Sequence, residues 1–350
     1  MRRCLTRRKP AHYAGLEFIE FAASPSEAKT LGQRLAQLGF QQEGLHRSKQ
    51  VALWRNGAAR AIVNFQPHSW ADHFHQRHGV SLCAMALSVS RSAPIIARAR
   101  AYGYATWQGD AGPNESPIPA VCAPDGSLIY LIEHGDDIYA RDFHLQPPAA
   151  VRDDYSGIDH LALGMEADSR DNWIIFFRTV LRLYARTRTD AAGPVRSGGS
   201  LAVHSPQGNI RLALNISQSR ATQIARSVAC YQGAGLQHAA FACRDLPATL
   251  DSLLRSPSTR CRSRQTTTRI WWRALAPTSA RRSSKRLQIL YDRDGQVGEF
   301  LHLYTRPFSS GRFFFELTER RGGYALYGAA KRGRYAFRRC STARLYQMVH

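Results

Sequence analysis

The chain has 350 residues, 44% of them hydrophobic and 10% aromatic, which is too long for one ordinary core and too apolar for a disordered protein. Its formal charge of +22 invites a nucleic-acid reading, but 21 of the 48 basic residues lie in segments 1–9, 255–286 and 331–350, which hold no acidic residue. The other 27 basic residues nearly balance the 26 acidic ones, so the body is close to neutral and nucleic acid is not the expected partner.

Residues 1–14 read as a basic tail that lacks the apolar core and small-residue cleavage site of a secretory signal. No run of eighteen apolar residues occurs, so a cytoplasmic protein without a membrane partner is expected. The seven cysteines include no C-x-x-C pair and fit reduced thiols better than a disulfide frame or a zinc site.

Four segments then open alike: G-L-E-F-I-E-F-A at 15, G-V-S-L-C-A-M-A-L-S-V at 79, G-I-D-H-L-A-L-G-M at 157 and G-L-Q-H-A-A-F-A-C at 235. Each is a glycine followed by an apolar strand, and most lead into a helix. After the first strand, Ser24, Pro25 and Glu27 make an N-cap, a first-turn proline and a reciprocal glutamate, with Ala28, Leu31, Leu35 and Leu38 on one face and Gly39 as the stop. His68, His73, His75 and His78 lack the fixed spacing of a ligand pair and read as a solvated loop. Residues 136–156 carry Pro147-Pro148 and read as an interdomain linker.

After the third strand, Trp173, Phe176, Phe177, Val180 and Leu181 have helical spacing; after the fourth, Asp245 caps a helix carrying Leu246, Leu250, Leu253 and Leu254. Short strands follow the helices at 51–54, 61–66, 128–134, 200–215 and 300–319. Segment 256–286 has neither helical nor strand periodicity and reads as an exposed insertion, although its arginines with Trp271 and Trp272 also suit base stacking. It and the part of the atypical basic tail 326–350 from about Lys331 begin abruptly, as out-of-frame translation would.

The expected fold is therefore α+β: an N-terminal domain over 15–135 and a C-terminal domain over 157–325, each of two βαβββ modules whose mixed sheets curl into a cup. His160 and His238 occupy the same place in the first strands of successive modules, 78 residues apart, so pseudo-symmetry points both into one cup. Glu316 follows three phenylalanines, where an ionised carboxylate is costly to bury without a cation. Taken singly, each histidine is a core residue and Glu316 pairs with a local arginine such as Arg320. Taken together, they make the facial triad of a non-haem Fe(II) site, with open positions for substrate and dioxygen.

The modules resemble the vicinal oxygen chelate superfamily and, in detail, the 4-hydroxyphenylpyruvate dioxygenase family. The likeness is carried by G-I-D-H-L-A-L-G-M (157–165), D-N-W-I-I-F-F-R-T-V-L (171–181), G-L-Q-H-A-A-F-A-C (235–243) and G-R-F-F-F-E-L-T-E-R-R-G (311–322). It implies Fe(II), or another divalent metal such as Mn(II), on His160, His238 and Glu316, and oxidative decarboxylation and hydroxylation of an aromatic 2-oxo acid by dioxygen. It places Asn215 and His302 in the substrate pocket. His302 stands where the family usually has glutamine, and Ala213 where it usually has proline.

In the N-terminal domain Phe18 falls at the place of His160, which implies a scaffold without metal. G-L-E-F-I-E-F-A-A and His302 are more similar to the dioxygenase-like C-terminal half of bacterial 3-dehydroshikimate dehydratases, where a separate barrel performs the dehydration. That alternative implies a cyclic acid as substrate. A third reading is a non-catalytic binding module that uses the basic segments. A homo-oligomer is the expected assembly.

Overall fold

The computed structural model describes residues 12–109, 111–112, 115, 117–147, 152–186, 199–217, 222–255, 289–294, 297–308 and 313–326. The basic insertion 256–286 and the segment 327–350 lie outside the described residues, as do residues 1–11.

The first half runs β1 (Tyr13–Ala22), α1 (Pro25–Gln37), β2 (Gln41–His46), β3 (Val51–Asn56), β4 (Ala59–Asn64), α2 (Trp70–His78), β5 (Ser81–Val89), α3 (Ala93–Ala101), β6 (Thr106–Gln108), β7 (Pro119–Cys122) and β8 (Leu128–Glu133). α1 starts where the sequence signal puts it: the Glu27 N–H donates to Ser24 Oγ and the Ser24 N–H to the Glu27 carboxylate, a reciprocal pair that satisfies two otherwise unpaired donors. The histidine-rich segment is not a loop. Ser69 caps it by accepting from the Asp72 N–H, so His73, His75 and His78 ride on α2.

The expected linker is also structured in part. It carries α4 (Ile138–Asp142) and β9 (Phe143–Leu145), and β9 adds to the first half's sheet as an antiparallel neighbour of β2. The second half follows as β10 (Tyr155–Glu166), α5 (Arg170–Phe176), β11 (Tyr184–Arg186), β12 (Gly199–His204), β13 (Arg211–Ser217), α6 (Gln223–Tyr231), β14 (Gly235–Cys243), α7 (Leu246–Arg255), β15 (Leu290–Arg293), β16 (Glu299–Tyr304) and β17 (Phe314–Arg321).

Both halves use one pairing scheme. The first strands of two successive modules pair antiparallel at the centre, β1 with β5 and β10 with β14. Each central strand is flanked by the last strand of its own module in parallel: β4, β8, β13 and β17. Alternation then divides the residues of β10, sending Leu161, Leu163 and Met165 into the hydrophobic core and His160, Ala162 and Gly164 to the other face of the sheet.

The third residue of the repeated opening motif sits in a register irregularity in three modules: Glu17 in β1, Asp159 in β10 and Gln237 in β14. A β-bulge re-aims the side chains beside it, and in β10 and β14 the next residue is a histidine.

One core spans both halves. Phe21 packs on Phe313 with ring centroids 5.0 Å apart and Phe40 on Phe241 at 4.9 Å. The Asn56-Gly57 turn between β3 and β4 grips the start of β10. Buried Asn56 exchanges hydrogen bonds with Asp154, and the Tyr155 hydroxyl donates to the Leu38 carbonyl at 2.7 Å. Gly57 is required there, because its φ is +59° and a Cβ would lie 2.2 Å from the Tyr155 carbonyl oxygen. Gly57→Ala is therefore expected to cost at least about 2 kcal/mol, the left-handed strain and the clash combined, measured by urea unfolding.

Candidate metal centre

The site is laid out by strand register. His160 of β10 pairs with Ala240 of β14, and Ala240 pairs in turn with Glu316 of β17. His238 of β14 pairs with Ala162 of β10. The five positions form a checkerboard in which ligand-type side chains alternate with alanines, so the small methyl groups leave room for the longer side chains to lean toward one point.

They do converge. His160 Nε2 and His238 Nε2 are 3.2 Å apart, and Glu316 Oε2 lies 3.1 Å from the first and 3.3 Å from the second. Three ligands on one octahedral face, with bonds of about 2.1 Å near right angles, are separated by about 3 Å, so the triangle has the size a first-row divalent metal needs. All three residues are buried, Glu316 to 1% exposure. Despite its two close nitrogens, Glu316 Oε2 accepts no well-directed hydrogen bond among the described residues. An unsatisfied buried carboxylate oxygen is expensive unless a cation takes that place, and these donors fit one. Among the described residues this is the one His, Cys, Asp and Glu group with metal-ligand spacing.

The electrostatics agree with a cluster suited to a cation. Burial opposes the charge on Glu316, yet His160, His238 and His302 around it hold its carboxyl well below the usual carboxylate range. Burial likewise opposes charge on His160, but Glu316 and Asp159 overcome it and raise its pKa to about 9. His238 is shifted the other way, with burial the largest cause. A proton on His160 thus does part of the work that a metal would do.

Two of the three ligand-type residues are braced from behind. His160 Nδ1 lies 2.7 Å from Asp159 Oδ2, and Arg320 donates to both Asp159 oxygens at 2.7 and 2.8 Å. Burial works against the Asp159 charge, but His160 and Arg320 keep its carboxyl below the usual carboxylate range. His302, expected to line the substrate pocket, turns its Nδ1 to Glu316 Oε1 at 2.7 Å. The third, His238, has no partner for its buried Nδ1 among the described residues and is held instead by stacking on Phe314, 4.8 Å between centroids.

Asn215 reaches the same face through β13, opposite Gly164. Its Oδ1 accepts from Ser200 Oγ at 2.6 Å and its Nδ2 donates to Gln237 Oε1 at 3.3 Å. This polar chain runs from exposed Ser200 to buried Gln237, the neighbour of His238. Asp159 and Gln237 went unread as site residues in the sequence, although each directly precedes a motif histidine. In the first half the same register places Phe18, Ala84 and Tyr130 where His160, His238 and Glu316 stand.

Paired βαβββ modules with curled mixed sheets define a vicinal oxygen chelate fold. Residues 8–144 match the family model described as "Hydroxyphenylpyruvate dioxygenase, HPPD, N-terminal". The chain is 34% identical over 251 residues to a 4-hydroxyphenylpyruvate dioxygenase of a Pseudomonas species, covering 70% of each. It is 40% identical over 326 residues to a 3-dehydroshikimate dehydratase of Pseudomonas aeruginosa, covering 90% of this chain and 50% of that protein. A solved structure described as a xylose isomerase-like TIM barrel/4-hydroxyphenylpyruvate dioxygenase fusion protein superposes with a TM-score of 0.77 at 37% identity, over 92% of this chain and 51% of the other. The chain belongs to the 4-hydroxyphenylpyruvate dioxygenase family. It spans about half the length of the dehydratase and of the fusion protein it matches.

Removing the charge behind His160 should loosen the site. Asp159→Asn is expected to weaken binding of Co(II) or Fe(II) by about 10–100-fold in a metal titration. Because a proton on His160 competes with metal, affinity should fall as pH drops below about 9, with proton release on binding visible in weakly buffered solution.

Proposed function

We propose that this chain is a non-haem Fe(II) dioxygenase that decarboxylates an aromatic 2-oxo acid oxidatively and hydroxylates its ring with dioxygen. The observation that carries the reading is the triangle of His160, His238 and Glu316, with edges of 3.1–3.3 Å and a buried carboxylate oxygen lacking a hydrogen-bond partner among the described residues. The same donors suit Mn(II), so the metal's identity is part of the proposal. When bound, Fe(II) would supply a redox-active centre with open coordination positions, bringing together dioxygen and a 2-oxo acid whose decarboxylation and ring hydroxylation each give up two electrons.

The chain's own contribution is orientation and exclusion of water. Glu316 offsets part of the metal's charge, and Asp159 fixes the direction of the His160 ring. Phe314 and Tyr304, edge to face at 5.7 Å, wall the site beside His238 and keep it dry. Asn215, within the Ser200–Gln237 chain, offers an uncharged donor and acceptor to a polar group of the substrate. A cytoplasmic setting is part of the proposal; among the described residues no helix is long and apolar enough to cross a membrane.

The likeness to the dehydratase favours a second reading. In it, the chain corresponds to the dioxygenase-like half of such a fused protein, holds the same metal, and does not itself dehydrate 3-dehydroshikimate.

Metal content and oxygen uptake separate these readings. Purified protein should carry about one metal per chain, lost in His160→Ala, and should consume oxygen with 4-hydroxyphenylpyruvate under Fe(II). Metal without oxygen uptake favours the second reading, and a folded protein that takes up no divalent metal defeats both.

A further inference from the structure

Glu316 has two oxygens of equal chemistry, and a divalent metal can take either one or both. The choice matters, since a two-oxygen carboxylate consumes a coordination position that a 2-oxo acid and dioxygen would otherwise share. In this chain the two oxygens are not equivalent. Oε2 faces His160 and His238, while Oε1 lies 2.7 Å from His302 Nδ1. An ionised carboxylate only accepts, so His302 Nδ1 carries the proton and donates.

His302 is also held so that it cannot easily turn away. It is buried, stacks on Phe300 at 4.7 Å between centroids and 26° between planes, and meets Tyr304 edge-on at 5.3 Å. Phe300 packs in turn against the Tyr324 ring, nearly parallel at 5.2 Å, and the Arg320 guanidinium, 4.6 Å from its centroid. A charge-assisted hydrogen bond from a ring locked on both sides fixes the carboxylate's rotation as well as its position.

We infer that His302 is a positioning residue for the metal: its Nδ1–H occupies Glu316 Oε1 and leaves Oε2 as the carboxylate's single ligand atom. The inference rests on the proposed metal site and assigns His302 to the metal instead of to the substrate. It requires a hydrogen-bond donor at this position, not a histidine as such.

The test compares His302→Gln, which keeps an N–H donor on a flexible side chain one bond longer, with His302→Phe, which keeps a buried ring but no donor. Each is titrated with Co(II), reading the dissociation constant and the visible absorption of the bound ion, which reports coordination number. His302→Phe should bind about 10–100-fold more weakly with an altered spectrum, and His302→Gln should restore most of both. The infrared difference spectrum of the unsubstituted protein on metal loading gives an independent reading, because a one-oxygen carboxylate ligand shows a wider separation of its two stretching bands than a two-oxygen ligand. Unchanged affinity and spectrum in His302→Phe, equal losses in both variants, or a two-oxygen band pattern would each overturn the assignment while leaving the metal site intact. Failure of the unsubstituted protein to take up Co(II) at all would remove the metal reading and this inference with it.

Discussion

A carboxylate buried to 1% exposure is the constraint around which the second half of this protein is arranged. Moving an ion of that size out of water costs several kcal/mol even after relaxation, and leaving it unpaired costs about 3–5 kcal/mol. Glu316 meets that cost by sitting among three imidazoles, one of which is drawn to a raised pKa of about 9 by the carboxylate itself. The strand register makes this possible. Had Ala162 or Ala240 been a large side chain, the five-position checkerboard would have been filled by packing, and the ligand-type groups could not have approached one another.

The first half shows what the same register does without the triad. Phe18, Ala84 and Tyr130 take the corresponding positions, and the buried acid of that face is Glu20, which accepts from Asn64 at 2.7 Å. Burial pushes the Glu20 carboxyl upward instead of down, with Asn64 and Tyr130 opposing only in part. The contrast is physical: one half surrounds its acid with groups that accept positive charge, the other with neutral hydrogen-bonding groups. Two modules of similar backbone therefore hold carboxylates of opposite electrostatic character.

Much of this was legible before any coordinates. The Ser24–Glu27 cap, the repeated glycine-strand openings and the spacing of the two motif histidines are local signals, and local geometry honoured them. The Ser69 cap is equally local but is masked by the histidines that follow it, so the sequence reads as a loop where α2 stands. Pro147-Pro148 dominates the reading of the segment before it, while the pairing of β9 with β2 is a contact across about a hundred residues that no local pattern announces. The same limit hid the braces. Asp159 and Arg320 are 161 positions apart in sequence, and the direction in which His302 points depends on Glu316 of the neighbouring strand and on Phe300, itself stacked on Tyr324 beyond β17.

Those braces are not independent of one another. The Arg320 guanidinium donates to Asp159, which orients His160, and also lies over Phe300, on which the His302 ring stacks. Arg320 further donates to the carbonyls of Tyr324 and Leu326, and the Tyr324 hydroxyl donates to Asp292 at 2.6 Å. One cation thus ties both supported ligand-type residues to the chain that follows β17, while His238 is packed on Phe314 and Tyr304. Perturbation of residues 320–326 reaches His160 and Glu316 together, through hydrogen bonds on one side and ring contacts on the other. It reaches His238 through them and through Tyr304, whose ring meets both His302 and His238. The candidate site thus joins two ligand-type residues set by one shared support to a third, His238, packed on Phe314 and Tyr304.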